Sequence, residues 1–562
     1  MKTNKFKLGN FHLTTCDMGR LVPIGLQEVL PGDIFSMRTS ILARVTPMLA
    51  PVMHPIKMQI YHFFVPNRLL WRYWGEFVAS APKCKDMLAP FTQCKTTKKG
   101  TLADYMNVPL KQEAKELLAF PFLAYLMIWK DYFADDQLNE DLISQIDEFL
   151  VKVYESKGGD IGKITIGQLT ENVPDLTAFA VAWSKDYFTS ARNEPQLGDD
   201  VVIPVHQGAS ANGQITLTNA HLSGVPLRSG YSNTSTTDND GQIVRGFVTP
   251  EYGGLAYPRD NIFLTSLSAQ GSDIVKNLKS YASIPYDEAV EKAVNDISNA
   301  KGGNLTADAI LNANGQNALA GQGISLQELR NSLALGRINE HRNMYGTRFV
   351  EYLNYLGVKT SDYRLQRPLL LGSGSSLLQI SEVLQTAEAT NGVVGSMKGH
   401  GLGTVSSNRF IRGFEEHGFI LSFCVIRPKT IYTDGIPKMW SRRISYDWWQ
   451  KELQNLGMQP VKNKELFFQG LPQDDEVFGY QDIWQEYRTN QSRISGDFRD
   501  YFDDWHLARE FTQLPALNKD FIACNPSKRI FAEQTHQPFL LMCRNFAVAR
   551  RLVSRRANPK TF

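Results

Sequence analysis

The sequence has no apolar run long enough to cross a membrane. The longest candidate, residues 117–129, has 13 residues and contains Pro121, whereas a bilayer requires about 20. The lysines near the N terminus are not followed by the apolar segment of a secretory signal. These absences argue against membrane insertion and secretion. They predict a protein made in the cytosol, with residues 117–129 buried in its core.

The sequence also lacks paired cysteines. Its six cysteines include no C-x-x-C motif, and the two closest, Cys84 and Cys94, lie ten residues apart. This spacing excludes a zinc ribbon and a thioredoxin-like site. Free cysteine is among the most buried residue types, so we expect reduced thiols in the core.

Acidic residues are absent after Glu533, and this absence gives the C terminus its character. The whole chain has 60 basic and 57 acidic residues, a formal charge of +3. Six of the basic residues lie in the segment 544–562: Arg544, Arg550, Arg551, Arg555, Arg556 and Lys560. Guanidinium groups bind phosphates through charge and forked geometry, so these residues are candidates for nucleic-acid binding. A solvated tail or an arm that contacts another subunit is the alternative.

Carboxylates occur in adjacent pairs, of which Asp503 and Asp504 are followed by Trp505 and His506. Two carboxylates beside aromatic rings are typical of glycoside hydrolases. Neighbouring residues, however, point to opposite faces of a strand or lie about 100° apart on a helix, so such a pair does not converge on one bond. A β-rich protein that binds or hydrolyses glycans remains the alternative function.

Other chemical motifs are incomplete. Glu415, Glu416 and His417, and the pair His54 and His62, do not have the spacing of a known metal site. Five glycines between 392 and 403 lack the Gly-Lys-Ser/Thr of a phosphate loop, and they predict a flexible surface loop. The sequence therefore predicts no catalytic residue, no metal and no cofactor.

Period-two alternation predicts strands that are scattered over nearly the whole chain. The predicted strands are 35–45, 56–66, 419–426 and 538–548. Between them, apolar spacing predicts helices at 142–153 and after Pro285, and Ser325 with Glu328 indicates the capping box of a third helix. The intervals between strands are long and irregular, which disfavours a parallel α/β sheet.

The segment from Gly208 to Ser325 differs in composition. It has neither cysteine nor tryptophan, and its first thirty residues carry a single charge, Arg228. Such a composition suits a surface insertion. A disordered linker is the alternative, but interspersed apolar residues such as Ile243, Phe247 and Phe263 favour an ordered protrusion.

Several motifs resemble the major capsid protein of gokushovirus-type Microviridae, in order and spacing from about residue 11 to about 545. These motifs are Leu13–Gly19, Leu21–Ile24, Glu28–Asp33, Phe63–Trp71, Asp186–Ala191, Gly346–Phe349, Arg364–Pro368, Phe414–Gly418, Met439–Arg442, Asp475–Gln481 and Trp505–Ala508. Three features depart from the family pattern: Cys16 in place of an aromatic residue, the helical stretch 141–154, and the strongly basic C terminus.

The resemblance implies a mainly β fold: an eight-stranded antiparallel jelly roll with long loop and helical insertions. Sixty copies would form a T=1 icosahedral shell around a circular single-stranded DNA genome. The chain would divide into an N-terminal part of the jelly roll (1–207), a variable insertion (208–325), the remainder of the jelly roll (326–543) and the basic tail (544–562).

The resemblance also implies partners and a place. The partners would be other copies of the chain, the single-stranded DNA, phage scaffolding, DNA-pilot and DNA-binding proteins, and a bacterial surface receptor. The shell would be assembled in the host cytoplasm, with the insertion protruding at the threefold axes. Its predicted host-contact residues are Tyr231, Asn233, Thr234, Asp238 and Asn239.

Overall fold

A computed structural model describes residues 3–198 and 326–555, apart from 95–97, 111–114, 347, 359–360, 363, 365, 385 and 387–393. Between these two ranges it describes only four two-residue strands. The chain forms two compact units, one of Met1–Asp199 with Arg337–Phe562 and the other of Asp200–Gly336. The predicted insertion, 208–325, falls within the second unit.

Strands dominate the first unit. They are β1 (Asn4–Lys7), β2 (Asn10–Cys16), β3 (Val22–Val29), β4 (Ile34–Val45), β5 (Ile56–Pro66), β6 (Phe91–Cys94), β7 (Lys115–Leu118), β8 (Ile164–Ile166) and β9 (Leu169–Glu171). The second unit contributes β10 (His221–Leu222), β11 (Val225–Pro226), β12 (Leu267–Ser268) and β13 (Thr306–Ala307). The remaining strands are β14 (Leu369–Leu377), β15 (Gln379–Leu384), β16 (Met397–Ser406), β17 (Phe410–Gly413), β18 (Gly418–Pro428), β19 (Met458–Lys462), β20 (Val477–Asp482) and β21 (Phe539–Arg551).

Two antiparallel sheets form the jelly roll. The larger has the order β1-β21-β4-β16-β15, with β2 also paired to β21 and β17 also paired to β4. The smaller has the order β14-β5-β18-β3. The four strands predicted from alternation are therefore confirmed as β4, β5, β18 and β21, and both sheets are antiparallel, as expected. The two described sheets hold seven and four strands, whereas eight strands were expected in all. Part of the difference arises because β1 and β2 are consecutive segments that pair with β21, and β16 and β17 are consecutive segments that pair with β4.

The hydrophobic core lies in two layers. Between the sheets, Ile41 of β4, Ile60 of β5, Cys424 of β18 and Cys543 of β21 belong to one buried cluster. On the other face of the smaller sheet, α4 (Phe120–Tyr132) packs against Phe423 and its neighbours. Strand β18 is consequently buried on both faces. All six cysteines are buried and free, as predicted.

Helices connect the strands. They are α1 (Asn67–Leu70), α2 (Trp74–Val78), α3 (Leu102–Tyr105), α4, α5 (Glu140–Glu155) and the later helices Leu326–Tyr345, Phe349–Tyr355, Asn463–Leu466, Gln485–Arg488 and Lys519–Ile522. The predicted helices at 142–153 and after residue 325 are confirmed. The run 117–129 is buried from Ala119 onwards, apart from the half-buried Met127, whereas Leu117 and Leu118 end β7 and Leu118 is exposed. The helix expected after Pro285 lies outside the described residues. Within the described part of the chain, no helix has the length and apolar character of a membrane span.

The glycine-rich segment is a strand, so the expectation of a flexible surface loop was wrong for its second half. Gly399, Gly401 and Gly403 lie in β16 and face the core. A Cβ atom at Gly399 would lie 2.4 Å from the carbonyl oxygen of Ala50, and one at Gly401 would lie 2.5 Å from Val45 Cγ2. The glycines therefore let the backbone of β16 pack closely against the backbone of Ala50 and the side chain of Val45.

The basic tail begins later in the chain than predicted. The prediction that it starts at residue 544 is wrong, because β21 continues to Arg551. The reason is visible in the burial pattern, because Asn545, Ala547 and Ala549 continue the inward-facing alternation of Leu541 and Cys543. Residues 544–551 are thus part of the jelly roll.

A buried polar network joins the two sheets. His62 of β5 lies between Ser422 Oγ, 2.7 Å from Nδ1, and Ser407 Oγ, 2.9 Å from Nε2. Ser407 Oγ also accepts the backbone N–H of Thr39, whose hydroxyl donates to Asn545 Oδ1. Burial lowers the pKa of His62 to about 4, so the imidazole is neutral at neutral pH.

We expect the stability of the subunit to depend on pH through His62. Its pKa in the folded state, about 4, is below the unfolded value of about 6.5, so protonation favours the unfolded chain. The contribution is fully present above pH 6.5 and is lost as the pH falls towards 4, a change of about 3 kcal/mol. Urea unfolding of the unassembled subunit between pH 7.5 and 4.5 measures it.

The variant His62→Phe is the control. It should be less stable than the natural chain at pH 7 by about 1–3 kcal/mol, because two buried serine hydroxyls lose a partner. Its stability should nevertheless fall less on acidification, because it lacks the titration of His62. Some fall should remain, because His54, whose pKa burial also lowers to about 4, titrates in both proteins. Parallel pH profiles of the two proteins would contradict the assignment.

Candidate nucleic-acid interface

The outward face of the larger sheet is built mainly from β4 and β21. Alternation in β21 turns Leu541, Cys543 and Asn545 inwards and leaves the even-numbered residues facing out. The outward residues of these two strands are Ser36, Arg38, Ser40, Leu42 and Arg44 in β4, and Leu540, Met542, Arg544, Phe546, Val548 and Arg550 in β21. Directly paired residues lie on the same face of a sheet, and Arg38 is paired with Phe546 and Ser40 with Arg544.

Neighbouring segments add more positive charge to this face. Lys5 of β1 adds a cation and is paired with Arg550. Phe11 of β2 adds an aromatic ring and is paired with Arg544. Arg409, in the turn between β16 and β17, donates from Nε to Ser36 Oγ at 2.8 Å. The face therefore gathers cations from four separate parts of the chain.

Acidic residues are nearly absent from the whole sheet. Six of its seven strands contain neither aspartate nor glutamate, and Glu382 of β15 is the exception. Glu382 is paired with Gly399, which faces the core side of β16. The outward basic residues consequently have no carboxylate from their own sheet face to neutralise them, and this face attracts polyanions.

An arginine–phenylalanine cluster, formed by Arg38, Arg544, Phe11 and Phe546, lies at the middle of this face. The guanidinium carbon of Arg544 is 4.3 Å from the ring centroid of Phe546 and 5.3 Å from that of Phe11. Arg38 lies 5.1 Å from the Phe546 ring. Phe11 is 64% exposed. Exposed rings beside guanidinium groups can stack on nucleic-acid bases while the charges contact phosphates.

Arg551 has a different role. Its Nε lies 3.0 Å from Oδ2 of Asp33, a fully buried carboxylate, and its Nη2 donates to the backbone oxygen of Glu28. Asp33 Oδ2 also accepts the N–H of Leu30 at 2.9 Å. The structure therefore assigns Arg551 to an ion pair that ties the end of β21 to the turn before β4.

The other predicted residues divide into two groups. Arg544, Arg550 and Arg555 are described and exposed. Arg556, Lys560 and the five predicted host-contact residues lie outside the described residues. Sequence reasoning missed Arg38, Arg44, Arg409 and Phe11 as binding candidates, although the alternation in 35–45 already indicated that Arg38 and Arg44 face solvent.

Asp503 converges with His506 and Glu510, rather than with Asp504, and these three side chains surround Arg529. Asp503, His506 and Glu510 are the one group of three potential metal ligands among the described residues. Arg529 Nη2 lies 3.3 Å from Asp503 Oδ1, 2.5 Å from Glu510 Oε1 and 3.2 Å from His506 Nδ1. Burial, with a hydrogen bond to Asp503, raises the pKa of Glu510 to about 7. A guanidinium thus occupies the centre of this cluster, which disfavours both a metal ion and a substrate there.

The remaining candidate metal ligands are held apart. His54 Nε2 contacts the backbone oxygen of Lys429 at 2.7 Å, and His62 contacts two serines. Glu416 pairs with Arg68, whereas the ring of His417 packs on Trp74. These partners explain His54, His62, Glu416 and His417 structurally, and Glu415 is exposed.

We expect Arg551 and Arg550 to behave differently when each is replaced by alanine. Arg551→Ala leaves the buried Asp33 without its cation and should destabilise the subunit by about 3 kcal/mol. Arg550→Ala removes an exposed side chain and should change stability by about 0.5 kcal/mol or less. Urea midpoints of the two variants measure this contrast, and equal midpoints would contradict it.

Comparisons with known proteins identify the family. Residues 1–558 match the model of the capsid protein (F protein) family. The chain is similar to capsid protein VP1 of Bdellovibrio phage phiMH2K, with 31% identity over 90% of this chain and 85% of the relative. It is also similar to capsid protein VP1 of Chlamydia phage 1, with 29% identity over 96% and 92%, and to that of Spiroplasma virus 4, with 28% identity over 90% and 85%.

These matches confirm the resemblance found in the sequence motifs, and they extend over both halves of the jelly roll. They give the chain a structural role in a virion, and that role does not depend on a catalytic site. The chain therefore belongs to the capsid protein (F protein) family of the Microviridae, and it is a bacteriophage capsid protein.

Proposed function

We propose that sixty copies of this protein assemble into a T=1 icosahedral shell, and that the outward face of the larger sheet binds the single-stranded DNA genome inside it. The family shows that the protein forms a capsid. The observation that supports the DNA contact is the arginine–phenylalanine cluster, which combines cations with the exposed ring of Phe11 and the partly exposed ring of Phe546.

Single-stranded DNA fits this face better than other polyanions. A sulfated or phosphorylated surface would use the positive charges alone. Unpaired bases would also use the rings of Phe11 and Phe546, because stacking contributes about 1–3 kcal/mol per base. Arg38 and Arg544 lie beside these rings, and the exposed Arg44 and Arg550 lie further along the same two strands. In the sequence, the basic residues Arg555, Arg556 and Lys560 follow β21.

The remaining partners in the proposal follow from the capsid role. Scaffolding, DNA-pilot and DNA-binding proteins of the phage would accompany assembly in the cytoplasm of the bacterial host. The insertion 208–325, with Tyr231, Asn233, Thr234, Asp238 and Asn239, would protrude at the threefold axes and contact a receptor on the bacterial surface. The many Gly, Ser, Thr and Asn residues of 208–237, which carry a single charge, support an exposed position for this part of the insertion.

DNA binding should depend on salt through three arginines of the sheet face. Replacing Arg38, Arg544 and Arg550 by alanine removes three phosphate contacts, so the slope of log affinity against log salt should fall by about 2. Binding of a fluorescent oligodeoxythymidine to the subunit, measured between 50 and 300 mM NaCl, gives the slope. Particles of this variant should also package less DNA.

A matched variant tests whether position matters. Replacing Lys83, Lys85 and Lys157, three exposed lysines outside the larger sheet, removes the same charge and should leave the salt slope nearly unchanged. Phe11→Leu should weaken binding about fivefold or more without changing the slope, because it removes stacking and keeps the charge. An unchanged slope and unchanged packaging in the triple arginine variant would overturn the DNA contact.

Deletion of 234–240 should separate shell formation from host contact. Expressed with its phage neighbours, the natural chain should give uniform particles of sixty subunits in sedimentation and electron microscopy. The deletion should leave these particles intact and lower adsorption to host cells at least tenfold, because it removes part of the proposed receptor loop. Loss of soluble protein would instead place 234–240 in the core of its unit, and normal adsorption would contradict the receptor role.

A further inference from the structure

A second surface of the first unit exposes an unusual number of aromatic rings. It is formed by residues 438–452, here termed the basic aromatic segment. Trp440 is 63% exposed and Tyr446 is 69% exposed, and Ile444, Trp448 and Trp449 are each exposed by about half or more. Large apolar side chains clustered in this way mark an interaction site, since monomeric soluble proteins rarely expose them together.

The basic aromatic segment is ordered before any partner binds. Oδ2 of Asp447 accepts the backbone N–H groups of Arg443 and Ile444 at 2.6 and 2.9 Å. Arg442 pairs with Glu486 at 3.1 Å, with both side chains nearly buried, and lies 4.4 Å from the ring of Tyr487. A segment held in this way loses little conformational entropy on association, which favours binding.

Charge indicates what covers this surface. The basic aromatic segment has four basic residues against two acidic ones. Residues 496–504, here termed the acidic aromatic segment, have four aspartates against one arginine, and they expose 82% of Tyr501. The two segments of one chain are therefore complementary in charge. The basic aromatic segment presents several exposed rings, and the acidic aromatic segment presents that of Tyr501.

We propose that the basic aromatic segment of one copy packs against the acidic aromatic segment of a neighbouring copy. Contacts between two different surfaces of identical subunits close into rings, such as those around the threefold or fivefold axis of a shell. Tryptophan and tyrosine are the residues that most often dominate the energy of such contacts. This inference rests on the proposed sixty-copy shell, because the threefold and fivefold axes around which such rings would form belong to that shell.

Charge reversal tests the contact. One variant carries Arg443→Glu and Lys451→Glu, a second carries Asp497→Lys and Asp504→Lys, and a third carries all four changes. In the first two variants like charges would face each other, so the yield of particles should fall at least tenfold. In the third variant the complementarity is restored with reversed sign, so the yield should recover to within about threefold of the natural chain.

The variants spare most groups with structural roles. Of the side chains that are changed, Arg443 donates to the backbone oxygens of Trp440 and Arg442, at 3.3 and 3.2 Å, within its own exposed segment. Asp447 and Arg442 order the basic aromatic segment, Asp500 accepts the backbone N–H of Tyr501, and Asp503 contacts Arg529, so none of them is changed. Thermal unfolding of each unassembled variant, monitored by circular dichroism, should match that of the natural chain. Lys83→Glu with Lys85→Glu makes an equal charge change elsewhere and should assemble normally.

The outcomes separate this contact from the proposed shell. If the natural chain forms particles and the first and second variants, each with one segment reversed in charge, form them equally well, the contact is overturned. The two segments would then face another partner, such as a scaffolding protein. Failure of the four-change variant to recover, with its fold intact, also overturns it. Failure of the natural chain to form particles with its phage neighbours would overturn the shell itself and this contact with it.

Discussion

The pairing of β4 with β21 is the constraint on which the rest of the jelly roll depends. It aligns Ile34–Val45 with Phe539–Arg550 over twelve residue pairs, from Phe539 opposite Val45 to Arg550 opposite Ile34. Inward side chains of both strands close the core between the sheets, and Thr39 and Asn545 join the polar network. The outward side chains form the basic face. One register therefore determines the core, the network and the candidate interface together.

Much of the fold could be predicted because its principal strands carry strong local patterns. Strand β4 alternates almost without exception, and β5 is bounded by prolines. Strand β16 could not be recognised in the same way, because three of its four inward positions are glycines. A Cβ atom at Gly399 or Gly401 would collide with Ala50 or Val45. A missing side chain gives no hydrophobic signal, so a close backbone contact and a flexible loop look alike in the sequence.

The candidate site could be predicted only in part, for a related reason. The basic residues of β21 are visible locally, and Arg544 and Arg550 do reach the outward face. Arg551 differs from Arg550 only in parity along the strand, yet parity places it beside the buried Asp33. Phe11, Arg38 and Arg544 come together through strand pairing between the two ends of the chain, and a sequence pattern of short range does not contain that register.

Charge and aromatic rings occur together on both surfaces, and physics gives a reason for the combination. At physiological salt the Debye length is about 8 Å, so charges of this kind steer a partner but give modest affinity once they are screened. Stacking and apolar burial are far less sensitive to salt. Phe11 beside Arg544, and Trp448 near Lys451 in the sequence, thus add to the electrostatic attraction a contribution that persists when salt weakens it. In the proposed shell, charge would select the DNA and the neighbouring subunits, and aromatic side chains would supply the salt-insensitive part of the binding energy.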